Sequence, residues 1–216
     1  DHNSSNTLVK QIKKTNSNYK AAHFGKWGIG SDPKTLGYDV SDGPTKNKDG
    51  YFDYDSRELQ WGNTISKDPK KIFSITEKAI NFIEENAQKN TPFFLQLSHY
   101  AIHSNLMMTK KSYDKYSKKE KGKIHDNIGL AAMTEDLDFS VGLIMKKLKE
   151  LGIENNTYII YSSDNGSVPI IIPRRYYKQS YNYPLSRGKW DAMEGGIRVP
   201  MIISGPNIKP NSYSAT

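Results

Sequence analysis

The sequence predicts an α/β fold, a mostly parallel sheet with helices on both faces. Three observations carry that expectation. The runs "FFLQLS" at 93–98, "TYIIYSS" at 157–163 and "VPMIISGP" at 199–206 show no clean apolar–polar alternation, the pattern of strands buried on both faces. Helical periodicities stand between such runs, as a parallel sheet needs. Polar clusters follow the strands directly, after Phe24, Ser98 and Ser163, at the strand ends where α/β folds bind ligands.

Taken in order, Asn6 to Thr15 reads as a short helix with Leu8, Val9 and Ile12 on one face. "YKAAHFGKWGIG" follows as a strand that ends in glycines. Ser31 to Ser66 is rich in Gly, Asp, Asn, Pro and Tyr, too polar for packed elements, and reads as a long structured loop. Asp68 and Pro69 suit the N-cap and first position of a helix whose stripe is Ile72, Ile75, Ala79, Phe82 and Ile83. Pro92 introduces the 93–98 strand, which ends near His99 and His103. "KKSYDKYSKKEKGK", Lys110 to Lys123, reads as a solvated, mobile surface segment. From Asp126 to Leu151 the residues Leu130, Met133, Leu137, Val141, Ile144, Leu148 and Leu151 recur at helical spacing, and Gly152 suits the stop. The runs at 157–163 and 199–206 read as buried core strands.

Composition bounds the function. The 216 residues carry a net charge of +8, and the apolar fraction of 36% is supplemented by 14 Tyr. With no cysteine, disulfides, zinc-thiolate sites and thiol nucleophiles are excluded within these residues. No apolar run approaches the roughly 18 residues that span a bilayer, so no membrane span is expected. The opening "DHNSSNTLVK" lacks the apolar segment of a signal peptide. Nucleic acid is not an expected partner. Attraction to sulfated or phosphorylated polymers stays open.

Particular residues suggest chemistry. Asp164 and Asn165 offer hard oxygen ligands to Ca²⁺, or to Mg²⁺, and Gly166 allows a tight turn around an ion. The same tripeptide is also an ordinary turn former, and such ions take about six oxygens, so further ligands must come from elsewhere. Lys26, between a strand and glycines, suits neutralising an anion; it lacks the spacing of a Walker loop. His99 and His103 suit general acid catalysis or anion binding, or equally two partly buried structural histidines. Lys189 precedes Glu194-Gly195-Gly196 and adds a second cation.

Together and in order, "GKWGIG", "FFLQLSHYAIHSNL", "AAMTEDLDFSVGLIMKKLKELGIENNTYIIYSSDNGS" and "RGKWDAMEGGIRVPMIISGP" resemble the successive motifs of type I sulfatases. These are the formylglycine-dependent sulfate ester hydrolases of the alkaline-phosphatase-like superfamily, and the resemblance runs from Tyr19 to Pro206. It implies that Asp164 and Asn165 are calcium ligands and that Lys26 contacts the sulfate and the formylglycine. It implies that His103 contacts the sulfate or assists the leaving group, that Lys189 is the second sulfate-binding lysine, and that His99 is a lesser substrate contact. The implied partner is a sulfated small molecule or glycan, and the implied location periplasmic or secreted.

The sequence departs from the family in two places. The nucleophile motif, Cys or Ser-x-Pro-x-Arg, and an early Asp-Asp metal pair do not precede Lys26. "PLSR", Pro184 to Arg187, matches part of that motif but stands in the wrong place. Residues 1–216 are therefore expected to be the C-terminal portion of a single catalytic domain, a partial domain with the formylglycine in a segment ahead of it. In isolation such a portion is expected to bind calcium poorly, to be inactive, and to be marginally stable or self-associating. Gly28 stands where many members carry histidine. A phosphoesterase or phosphotransferase of the same superfamily is the alternative enzyme, and a basic module that binds anionic polymers through Lys110 to Lys123 the non-enzymatic one.

Overall fold

The computed structural model describes residues 6–52, 61–123, 125–169 and 182–213. The regular elements run in the order α1 (Leu8–Thr15), β1 (Lys20–Gly25), β2 (Val40–Ser41), β3 (Thr64–Ile65), α2 (Ile72–Gln88), β4 (Phe93–Ser98), β5 (Met107–Met108), α3 (Lys110–Ser117), α4 (Ile128–Glu150), β6 (Ile159–Ser162), α5 (Glu194–Ile197) and β7 (Met201–Ser204). By contacts the chain divides into a first unit, residues 1–119 and 127–151, and a second, residues 120–126 and 152–216.

The first unit is built on a parallel sheet in the order β2-β1-β4. β1 and β4 pair from Lys20 beside Phe93 to Gly25 beside Ser98. Successive side chains point to opposite faces of a strand, and both faces are covered. Ala22, Phe24, Phe93, Leu95 and Leu97 pack with Ile75 and Phe82 of α2. Ala21 and Phe94 turn the other way, to Val9 of α1 and to Tyr38 and Trp27. Helices therefore lie on both faces, as the unbroken apolar runs predicted. A second cluster joins Ile72, Leu106, Met108, Ala132, Met133 and Leu137, and so binds α2 and α4 to the β3–β5 pair.

Three local expectations are corrected here. Lys110 to Lys123 is not a mobile segment throughout, because α3 occupies its first half. Thr109 caps that helix by accepting from the Ser112 N–H at 3.2 Å, and Tyr113 and Tyr116 pack on the α2–α4 cluster. Asp136, buried within α4, accepts from the Thr109 N–H (2.7 Å), the Thr109 hydroxyl (2.8 Å) and the Ser112 hydroxyl (2.6 Å). The run of lysines hid the apolar side and the cap.

The 31–66 stretch also contains packed elements. β2 joins the main sheet, β3 pairs with β5, and Leu36 and Tyr38 are buried; residues 53–60 lie outside the described residues. The helix expected from Asp68 begins later. Lys70 and Lys71 adopt left-handed φ of 51° and 57°, which breaks the helical path. Asp68 still caps α2 from outside, accepting from the Phe73 N–H at 2.8 Å.

In the second unit β6 and β7 form an antiparallel ribbon from Ile159 beside Ser204 to Ser162 beside Met201. Both were expected to be buried core strands, and both are largely exposed: Ile160 65%, Met201 64% and Ile202 63%. A two-stranded ribbon carries no second layer of its own, and no described residue supplies one over these side chains.

Candidate functional site

The β1–β4 register sets the rim of the first unit. Because Gly25 lies beside Ser98, the residues that follow them, Lys26 and His99, leave the sheet at the same edge. The Lys26 N–H donates to the Ser98 carbonyl at 2.7 Å and extends the ladder by one bond. Gly25 has to be glycine: its φ is 98°, and a Cβ there would stand 2.1 Å from the Ser98 oxygen. Thr45 then folds the chain back. It accepts from the Trp27 N–H at 2.9 Å, its hydroxyl donates to the Gly25 carbonyl, and its carbonyl takes the Gly28 N–H at 2.9 Å. Among the described residues no hydrogen bond or ion pair engages the Lys26 ammonium, as suits a cation kept for an anion.

Gly28 adopts a φ of 77°, and a Cβ there would be 3.8 Å from the Lys26 side chain. Glycine at this position is thus part of the turn that carries Lys26. A histidine there would strain the backbone.

His103 follows one turn beyond β4, its N–H donating to the Tyr100 carbonyl at 2.9 Å. Its Nδ1 lies 2.8 Å from the Ser104 carbonyl. A carbonyl can only accept, so Nδ1 carries the proton, and Nε2 is the ring nitrogen at which a proton could be exchanged. The ring packs edge-on against Phe52, with centroids 4.7 Å apart.

His99 is different. Both of its ring nitrogens are sealed from solvent without a hydrogen-bond partner, and burial pushes its pKa down to about 4. A neutral, enclosed imidazole is a poor partner for an anion, so this geometry favours His103. The structure also brings in a group that sequence reasoning missed. His23 is fully buried, its Nε2 3.1 Å from the Ser98 hydroxyl, and burial lowers its pKa to about 4. Gln96 donates to that hydroxyl at 3.3 Å and accepts from the Tyr38 hydroxyl. His23, Gln96 and Ser98 are all visible in the sequence, but only the strand register places them together.

In the second unit the strand end at β6 docks on the stretch before β7. The Gly166 N–H donates to the Gly196 carbonyl (2.9 Å) and the Lys189 N–H to the Ser167 carbonyl (2.9 Å). A Cβ on Gly166 would lie 1.7 Å from the Gly195 oxygen, so the two chains pass closer than any other residue allows. Asn182 braces the junction: its Oδ1 accepts from the Ser167 N–H at 3.0 Å and its Nδ2 donates to the Ser167 carbonyl at 2.8 Å. Asp164, Asn165 and Lys189 are thereby gathered in one loop cluster. The Asp164 side chain is exposed, and no described residue hydrogen-bonds its carboxylate. Asn165 donates its Nδ2 to the Gly166 carbonyl at 2.9 Å, which leaves the amide oxygen as its ligating atom. The Lys189 ammonium lies 5.9 Å from the centroid of the Trp190 ring.

The predicted site residues therefore form one group in each unit: Lys26, His99 and His103 in the first, Asp164, Asn165 and Lys189 in the second. Among the described residues no three of His, Cys, Asp and Glu are clustered to hold a metal ion. Asp164 and Asn165 fit a hard cation by donor type, and supply part of its shell.

Comparison with known proteins bears on the family. The human steryl-sulfatase is 34% identical over 135 residues, covering 62% of this chain and 21% of that protein. An N-acetylgalactosamine-6-O-sulfatase of Bacteroides thetaiotaomicron is 31% identical over 162 residues, 71% of this chain and 29% of that protein. Ps i-CgsB, solved in complex with k-i-k-neocarrahexaose, superposes with a TM-score of 0.67 at 26% identity, covering 90% of this chain and 47% of that one. The chain thus spans about half of that solved structure, and the matched stretches are less than a third of the two curated relatives. The family profile described as Sulfatase matches residues 2–216, and the chain belongs to the sulfatase family.

Proposed function

We propose that the residues of this chain bind and cleave a sulfate ester of a sulfated carbohydrate. The observation that carries the reading is the backbone tie between the two most specific motifs. The Lys189 N–H donates to the Ser167 carbonyl, which ties the backbone of Lys189 to the strand end that carries Asp164 and Asn165. A sulfate ester carries delocalised negative charge, and its cleavage builds charge on the departing sugar oxygen. The Lys26 and Lys189 ammonium groups offset charge on the sulfate oxygens. With Nδ1 held on Ser104, His103 as the imidazolium gives its Nε2 proton to the sugar oxygen as the S–O bond breaks, and is left neutral with the lone pair on Nε2. His99 contributes at most a neutral lining.

Asp164 and Asn165 would hold Ca²⁺, or Mg²⁺, which when bound stabilises negative charge on the sulfate as a Lewis acid. A formylglycine, when present, supplies the attacking oxygen; water is the net source of oxygen in the released sulfate. The carbohydrate class is supported by the relative named for N-acetylgalactosamine 6-O-sulfate and by the structure solved with k-i-k-neocarrahexaose. Among the described residues no helix is long and apolar enough to cross a membrane, and a periplasmic or secreted location rests on family membership. The basic-module alternative is weakened because two lysines of α3, Lys110 and Lys115, are engaged by Asp114 and Glu135.

The test is release of inorganic sulfate by the full-length protein from sulfated galactan and N-acetylgalactosamine 6-sulfate substrates, with matched phosphate esters alongside. Sulfate release is expected, with loss under a chelator and in Lys26→Ala and Lys189→Ala. Phosphate release without sulfate release overturns the reading.

A further inference from the structure

We propose that Lys70 is a positioning residue for His103. Its side chain is among the most enclosed in the protein, 1% exposed. The ammonium donates to the Ser104 carbonyl at 2.8 Å, and this is the same oxygen that receives the His103 Nδ1–H at 2.8 Å. A carbonyl oxygen has two lone pairs, and here the two are shared between a buried cation and the candidate acid. The ammonium pins Ser104, and a pinned Ser104 fixes both the plane and the tautomer of the neighbouring ring.

A buried ammonium is an expensive way to hold a loop. Taking it out of water is unfavourable before any compensation, and burial depresses its pKa to about 8. The backbone that delivers it is strained as well: Lys70 and Lys71 both take left-handed φ, 51° and 57°. A neutral side chain on an ordinary helical turn would avoid both costs. Strain of this kind concentrates where geometry serves function. At this position what the geometry secures is the Ser104 carbonyl, and through it the proton on Nδ1 that makes Nε2 the exchanging atom. This assignment rests on the role given to His103 in the proposed function.

The experiment uses the full-length protein with ¹⁵N-labelled histidine and lysine, the His103 signals being identified by His103→Gln. In the wild type, ¹⁵N shifts are expected to report the Nδ1–H tautomer. Through-hydrogen-bond couplings are expected from both Lys70 Nζ and His103 Nδ1 to the Ser104 carbonyl carbon. An Nε2–H tautomer, or a missing coupling from Lys70, overturns the proposal without any variant. Lys70→Met is expected to mix the His103 tautomers and to lower kcat on a sulfated galactan by about tenfold, the lower end of what an outer-shell orienting group contributes, with KM within about twofold. Lys71→Met, in the same strained turn but with its ammonium 5.6 Å from the Tyr51 ring centroid, is expected to change neither. A folded Lys70→Met with wild-type tautomer and kcat shows a purely structural lysine and overturns the proposal. If the wild type releases no sulfate, the sulfatase reading fails, and the tautomer and couplings still judge the link between Lys70 and His103.

Discussion

The β1–β4 ladder and the β6–β7 ribbon are built from the same kind of strand. Each is an apolar run that ends in polar, chemistry-bearing residues. β1 is buried along five of its six residues, with α1 over one face and α2 over the other. In the ribbon, Ile160, Met201 and Ile202 remain exposed. The difference lies in what the chain between the strands does. α2 lies between β1 and β4 in sequence and packs back on their sheet, so the crossover that makes the pair parallel also covers it. β6 and β7 pair antiparallel, and the described residues between them supply α5, four residues long. An apolar run thus states that a strand suits burial on both faces, while the cover must come from elsewhere.

The largest effect expected from this contrast is acid sensitivity confined to the first unit. Burial holds His23 and His99 at about 4, below the ordinary value of 6.5. Between those values the unfolded chain binds more protons than the folded one. Stability is therefore full above pH 6.5 and falls as the pH drops toward 4, by on the order of 3 kcal/mol for each histidine. Hydrogen exchange at pH 7 and pH 4.5 should show β1 and β4 losing protection ahead of β6 and β7. His23→Gln should flatten the dependence, and equal loss in both units would contradict the assignment.

Next in size is Gly25→Ala. The added methyl meets backbone at 2.1 Å and a φ of 98°, so a loss of about 3 kcal/mol is expected, with strain and displaced ladder bonds both contributing. Chemical denaturation followed by the fluorescence of Trp27 measures it. Asp136→Ala comes third. It leaves the Thr109 N–H and the Ser112 hydroxyl without their buried acceptor, worth about 2 kcal/mol. The specific sign is loss of amide protection in α3 while β1 and β4 keep theirs.

These three cases also mark what could be read without coordinates. Strand positions, the two long helices and the motif order followed from periodicity and turn chemistry, which are local. Two-sided cover of the β1–β4 sheet followed from the lack of alternation in the 93–98 run. The His23–Ser98 contact did not, because it depends on register between strands separated by some seventy residues, and nothing local encodes register. The Lys110–Lys123 segment was misjudged because charge was counted and the acceptor for its cap, Asp136, lies on another helix. Lys70 was invisible for the same reason, since a lysine beside Pro69 looks like surface until its carbonyl partner in the 104 loop is known. For the candidate site, residue types were legible and their support was not.

The smallest expected effect separates the two strand environments directly. Ile75→Ala, at 2% exposure against the β1–β4 sheet, should cost about 3 kcal/mol from lost burial and the cavity left behind. Ile202→Ala, at 63% exposure, should cost under about 0.5 kcal/mol in residues 1–216 alone, since a side chain already in water has little burial to lose. The same pair measured in the full-length protein sharpens the comparison. If Ile202→Ala becomes as costly there as Ile75→Ala, the ribbon is covered by residues outside 1–216. If it stays small there while residues 1–216 sediment as a concentration-dependent oligomer that Ile202→Ala weakens, a second copy of the chain is what covers the ribbon.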